Sequence, residues 1–207
     1  MIKPSCSELT LTSVSDDISN SNEYNNSDIS DEQTRLDSIF MQRAYELAQQ
    51  AEQYDEIPVG AVVVYQGEII GEGFNQSIML DDPSSHAEMN AIRQAGKHLN
   101  NYRLLDCTLY VTLEPCPMCA GLLVHSRIKR VIFGCHDLKT GAAGSVFNLA
   151  NNPRLNHQIE VHSGTMQEEC SQLLSAFFKR RRKEKKLAKQ AAKNALLKKQ
   201  IDNTSQG

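Results

Sequence analysis

Two short strings carry most of the chemistry open to this chain: Ser85-His86-Ala87-Glu88 and Glu114-Pro115-Cys116-Pro117-Met118-Cys119. Cys116 and Cys119 stand three residues apart, so in a helical turn both sulfurs lie on one face. The first turn of a helix favours negative charge, which lowers thiol pKa and favours the thiolates that zinc prefers. His86, also expected at a helix start, can offer an imidazole to the same ion. Three ligands are one short of a structural zinc site and match a catalytic one, where the fourth tetrahedral position is left to water. Glu88 is close enough to His86 to reach that water yet points elsewhere, which suits a proton carrier better than a ligand. A C-x-x-C alone also reads as a redox pair or half of a structural zinc site, and Cys107, Cys135 or His125 could supply a fourth ligand.

The elements that must position these residues are legible in the hydrophobic pattern. Ile39, Phe40, Ala44, Leu47, Ala48 and Ala51 recur at helical spacing behind Asp37, which is expected as the N-cap. The β-branched run Val59–Tyr65, the Gln66-Gly67 turn and the alternating Glu68–Phe74 predict a hairpin. Asp81-Asp82-Pro83-Ser84 breaks the chain before a helix from about His86 to His98. Strand and helix then alternate: Thr108–Leu113, Pro117–His125, Arg130–Gly134, a Gly-rich loop through Asn152, and a short strand at Ile159–His162. From Gln167 a last helix carries Cys170, Leu173, Leu174, Phe177 and Phe178 on its apolar face. Such alternation argues for packed α/β layers.

With 207 residues the chain has room for one core with appendages. Its formal charge of -3 conceals two opposed ends. Residues 1–36 hold seven acids against Lys3 and Arg35, whereas residues 179–199 hold eleven Lys and Arg against Glu184 alone. The basic end suits a polyanion. From Ser5 to about Gln33 the sequence is Ser, Asn, Asp and Thr with scattered aliphatics, too little apolar surface to offset ordering entropy, so this stretch is expected to be disordered. The expected organisation is therefore a disordered acidic extension at 1–35, a catalytic domain at 36–178 and a basic helix and tail at 179–207. No run is long and apolar enough for a membrane span, and the first thirty or so residues lack the pattern of a secretory signal. A C-x-x-C in such a chain fits a reducing cytoplasm.

The pairing of H-A-E with P-C-x-x-C is the signature of zinc-dependent nucleobase deaminases. Further segments extend the likeness: Pro58-Val59-Gly60-Ala61-Val62, Gly71-Glu72-Gly73-Phe74-Asn75, Asn101-Tyr102-Arg103-Leu104, Leu109 to Cys119, His125-Ser126-Arg127-Ile128 and Lys139-Thr140-Gly141-Ala142-Ala143-Gly144-Ser145. Over roughly residues 36–186 the chain resembles the bacterial tRNA-specific adenosine deaminases of the cytidine/deoxycytidylate deaminase superfamily.

The resemblance implies a three-layer α/β/α cytidine-deaminase-like fold with a central mixed five-stranded sheet, a homodimer, and one Zn2+ per subunit held by His86, Cys116 and Cys119. The implied reaction converts the wobble adenosine of an arginine tRNA with an ACG anticodon to inosine. Zinc-bound hydroxide attacks C6, Glu88 shuttles protons and ammonia leaves. The implied substrate contacts are Asn75 and the Ala87 N–H at the purine, Asp137 at the anticodon nucleotides and Phe178 against a neighbouring base. Arg181 and Arg182, with Arg180 and Lys183 beside them, meet phosphate. Phe177 and Phe178 divide, one into the core and one to the site. His136 stands where the family commonly has Arg. A deaminase of free guanine or cytidine is the alternative enzyme, and an RNA-binding module with structural zinc the alternative outside enzymes.

Overall fold

The computed structural model describes residues 26–204, with side-chain surroundings for 31–194. In chain order the elements are α1 (Asn26–Gln53), β1 (Gly60–Tyr65), β2 (Glu68–Phe74), α2 (Ala87–His98), β3 (Thr108–Leu113), α3 (Pro117–Ser126), β4 (Arg130–Cys135), β5 (Glu160–Ser163) and α4 (Gln167–Thr204). One mixed sheet runs in the order β2-β1-β3-β4-β5. β1 is antiparallel to both β2 and β3, while β3, β4 and β5 are parallel.

The side-chain period of two divides the strands between two cores. Val62, Val64, Tyr110 and Ile132 face α1 through Met41, Ala44 and Leu47. Ala61, Val63, Leu109, Val111, Val131 and Phe133 pack on the other face with Ala87, Ala91 and Ala95 of α2 and Leu123 and Val124 of α3. Buried on both faces, β3 and β4 read as near-continuous apolar runs. The turn between β1 and β2 places Gln66 and Gly67 at positive φ, as a two-residue hairpin loop requires. Gly71 and Gly73 let α2 lie directly on β2: a Cβ at either would come within 2.3 Å of the Ala91 or Ala87 carbonyl oxygen. That close approach sets the height at which the first turn of α2 stands over the sheet.

The first helix starts earlier than its apolar pattern predicts, at Asn26 rather than Asp37. Asp37 is therefore not an N-cap. It lies in the helix interior, 7% exposed, and pairs with Arg130 of β4 at 2.6 Å while accepting from the Tyr110 hydroxyl at 2.8 Å. Gln33 also donates to it from one turn earlier. The added turns carry Asp28, Asp31 and Glu32 near the helix N-terminus, where the dipole favours acids. Helical structure thus covers residues 26–35 of the stretch expected to be disordered, and its first 25 residues lie outside the described residues.

At the other end, α4 continues without a break into the basic segment. No helix among the described residues is long and apolar enough to cross a membrane.

Candidate metal centre and active site

His86 and Cys116 are the N-cap residues of α2 and α3, both with extended backbone, and neither side chain caps its own helix. Pro117, at the start of α3, has no N–H to satisfy there. The orphan N–H of Ala87 is instead taken by Asn75 Oδ1 at 2.9 Å, and Asn75 Nδ2 donates to the Ile57 carbonyl at 3.2 Å. Asn90 ties the same corner by donating to the Phe74 carbonyl. The imidazole and the thiols are thereby left free of capping duty.

The three groups converge. His86 Nδ1 lies 3.7 Å from Cys116 Sγ and 3.6 Å from Cys119 Sγ. Tetrahedral zinc with Zn–S of about 2.3 Å and Zn–N of about 2.0–2.1 Å separates N from S by roughly 3.6 Å, so the residues fit the ion. Among the described residues this trio is the one metal-capable cluster, and Cys107, Cys135 and His125 stand outside it. Cys107 and Cys135 are instead buried in the core, and burial pushes both thiols up to about 11. Within the trio a hydrogen bond from Cys119 and the nearby imidazole favour the Cys116 thiolate, while Cys119 is pushed up by its bond to Cys116 and by burial. The Cys116 thiolate in turn raises His86. Binding a metal here releases protons.

Glu88 sits in the first turn of α2, 4% exposed and against Cys119. Burial pushes its carboxyl up to about 7, the range in which a group can both take and give a proton near neutrality.

Beside this centre runs a groove of about 490 Å³, lined by Ile57, Leu113, Asp137, Leu138, Phe178 and Arg182 among others. The Ile57 carbonyl accepts from Asn75, which in turn holds the Ala87 N–H, so hydrogen bonds link the groove's lining to the start of α2. Three of the residues expected at the substrate, Asp137, Phe178 and Arg182, meet here. Phe177 is 3% exposed, in the core, and Phe178 is 41% exposed and lines the groove.

Two expectations change in detail. The Asp137 carboxylate is engaged in a turn, accepting from Lys139 N, Thr140 N and the Thr140 hydroxyl. Arg180 is committed to protein rather than left for phosphate: it pairs with Asp55 at 2.8 Å, Glu184 at 3.1 Å and Glu52 at 3.7 Å, and packs over Phe177. Arg181 shares Glu184 at 3.3 Å but stays exposed, a weak pairing. His136, in the place where Arg is common, contacts the Ser145 hydroxyl at 3.0 Å and sets its ring edge-on to Phe133.

Sequence reasoning missed Glu56 and Glu114. Glu56, 1% exposed, accepts from the Ile78 and Met79 N–H groups at 2.7 Å and holds the loop before α2. Glu114, 2% exposed, lies between β3 and Cys116. For Glu114 the available signal was an acid directly after an apolar strand; Glu56, in the turn after α1, gave none.

The sheet order and the His-Cys-Cys cluster define a deaminase of the cytidine and deoxycytidylate class, and the zinc-binding region of cytidine and deoxycytidylate deaminases matches residues 34–135. The tRNA-specific adenosine deaminase of Haemophilus influenzae is 54% identical over 162 residues, 78% of this chain and 94% of its own. That of Bacillus subtilis is 48% identical over 153 residues, 74% of this chain and 95% of its own. The chain belongs to the tRNA-specific adenosine deaminase family. A solved structure from work on A-to-I editing by tRNA:A34 deaminases matches with a TM-score of 0.63 at 39% identity, over 65% of this chain and 98% of that one. The guanine deaminase of Nitrosomonas europaea, at 22% identity and a TM-score of 0.60 over 68% of this chain and 83% of its own, shares the fold.

Proposed function

We propose that this chain converts the wobble adenosine (position 34) of tRNA, chiefly an arginine tRNA with an ACG anticodon, to inosine. The observation that carries the reading is the His86, Cys116 and Cys119 trio at metal-bound spacing with buried Glu88 alongside. His86, Cys116 and Cys119 would hold one zinc per chain. Bound there, zinc supplies a water acidified to a pKa of about 7.

In the reaction a C6–O bond forms, the C6–N bond breaks, and water and adenosine become inosine and ammonia. Glu88 takes a proton from the attacking water, delivers one to purine N1, and then assists the departing amine. Its raised pKa suits it to hold that proton between steps. Asn75 and the Ala87 N–H, bonded to each other in this structure, border the space for the purine, and entry of the base would share or replace that bond. The target base must leave the anticodon-loop stack to reach them, so an unpaired nucleotide is the fitting substrate. Phe178 stacks on a neighbouring base, Asp137 borders the anticodon nucleotides, and Arg181 and Arg182 meet phosphate.

On this reading residues 36–178 form the catalytic unit, and 179–207 a basic extension that follows RNA. The chain acts as a homodimer in the cytoplasm.

Inosine formation at position 34, measured with wild type and Glu88→Ala side by side, tests the proposal. Conversion by wild type is expected, with a loss of roughly 10³-fold or more in the variant while zinc is retained. Absence of conversion by zinc-loaded wild type would redirect the search to free guanine and cytidine.

A further inference from the structure

We infer that Glu114 is a positioning residue for substrate recognition: its buried carboxylate is the post around which residues 136–145 fold to form one wall of the groove beside the metal centre. The inference deepens the reading above, since it assigns a source for the shape of the same site.

The carboxylate takes donors from both ends of this loop. Asp137 N reaches Oε2 at 3.1 Å, and Ala143 N and Ser145 N reach Oε1 at 3.0 Å each. The Ser145 hydroxyl bonds Oε2 as well, and His136 Nδ1 lies 3.4 Å from it.

The backbone around it is fitted to the same purpose. Gly141 N closes on the Asp137 carbonyl at 2.9 Å, and Ala142 N bonds the Pro115 carbonyl at 2.8 Å. A Cβ at Gly141 would lie 2.4 Å from the Glu114 carboxyl and 2.5 Å from the Asp137 carbonyl oxygen, so the loop passes too close for any other residue.

Position makes this local knot consequential. Glu114 is anchored by its own N–H to the Cys135 carbonyl at 2.9 Å, and the chain reaches Cys116 two residues later. The loop it organises presents Asp137, Leu138, Lys139 and Thr140 to the groove, opposite Phe178 and Arg182. Leu138 is 82% exposed and has little packing of its own to hold it. A buried carboxylate without donors is costly, so wrapping the loop about Glu114 is favoured before any substrate arrives. The groove is thereby preorganised, and binding need not supply the ordering.

Glu114→Gln tests this. Whichever way the amide turns, its NH2 faces two of the four donors. The protein with its zinc is treated briefly with trypsin, and cleavage after Lys139 is followed by mass spectrometry, with cleavage in the exposed basic helix as internal reference. Expected is about tenfold faster cleavage at Lys139 in the variant, an unchanged reference rate and an unchanged zinc content. With the tRNA substrate, KM should rise about tenfold while kcat stays within a factor of about three. Ser145→Ala should give a smaller effect in the same direction, and the double variant should be no worse than Glu114→Gln. Gly141→Ala should reproduce the pattern from the loop side and serves if Glu114→Gln does not fold.

Equal cleavage at Lys139, or a fall in kcat or zinc with KM unchanged, would overturn the inference, because Glu114 would then act through Cys116. Wild type that resists cleavage at Lys139 yet converts no tRNA would instead sink the substrate reading and leave the role of Glu114 standing.

Discussion

The metal centre and the groove beside it are built by opposite means. At the centre, main chain does the placing: two helix starts over one sheet bring His86, Cys116 and Cys119 together, with β2 glycines fixing the height of α2. The groove is lined by side chains of a loop and of α4, and the loop side of it rests on a few polar ties to Glu114. The contrast teaches where each kind of damage should appear. Loss at the centre should remove chemistry outright, and loss at the groove should weaken substrate binding while chemistry survives.

The largest effect is expected at the centre. Cys119→Ala leaves two ligands, so zinc should fall from about one per chain to near none by elemental analysis, with deamination below detection. Retained metal with retained turnover would break the comparison at its stronger end. At the groove, Phe178→Ala removes an exposed aromatic surface from α4. KM for tRNA should rise about tenfold, from the roughly 1–3 kcal/mol of one stacked base, with kcat and zinc unchanged. A drop in kcat alone would show that the two regions are not separable.

The smallest effect on activity is expected far from both. Asp37→Ala strips Arg130 of its largely buried partner and should cost about 3 kcal/mol, lowering the melting temperature by roughly 5–10 °C with little change in turnover at 25 °C. Burial acts to raise the Asp37 carboxyl, but hydrogen bonds from Arg130, Tyr110 and Gln33 outweigh it and hold the pKa below the ordinary value. A lowered folded pKa means that the stabilisation is complete above the unfolded value of about 3.9 and is lost as pH falls through the folded one. The gap in melting temperature between variant and wild type should therefore close below about pH 4. A gap that persists at pH 2 would assign the effect to packing instead.

The parts of this molecule legible in the sequence are those decided by neighbours in the chain. His86 and Cys116 sit where loops enter helices, the Cys116–Cys119 spacing is one helical turn, β1 and β3 follow apolar runs of six residues, and β2 follows an alternating stretch. Residues whose partners lie far along the chain were opaque. Asp37 resembles an N-cap until Arg130, 93 positions later, takes it into an ion pair. Arg180 resembles its basic neighbours until Asp55, 125 positions earlier, claims it. Glu114 needed donors 23 to 31 positions on, supplied by a loop with no periodicity of its own. The early start of α1 was hidden for another reason: Ile29 is the one aliphatic residue in 26–35, so no helical period of apolar positions marks that stretch.

Asn75 caps the helix whose start carries His86, and that division of labour has an evolutionary consequence. Because another element satisfies the first N–H of α2, the metal-binding position is not needed to begin the helix. Metal binding at His86 and the start of α2 therefore rest on different side chains. A duplicated copy could lose its zinc ligands and keep its architecture and the groove lined by Asp137, Phe178 and Arg182.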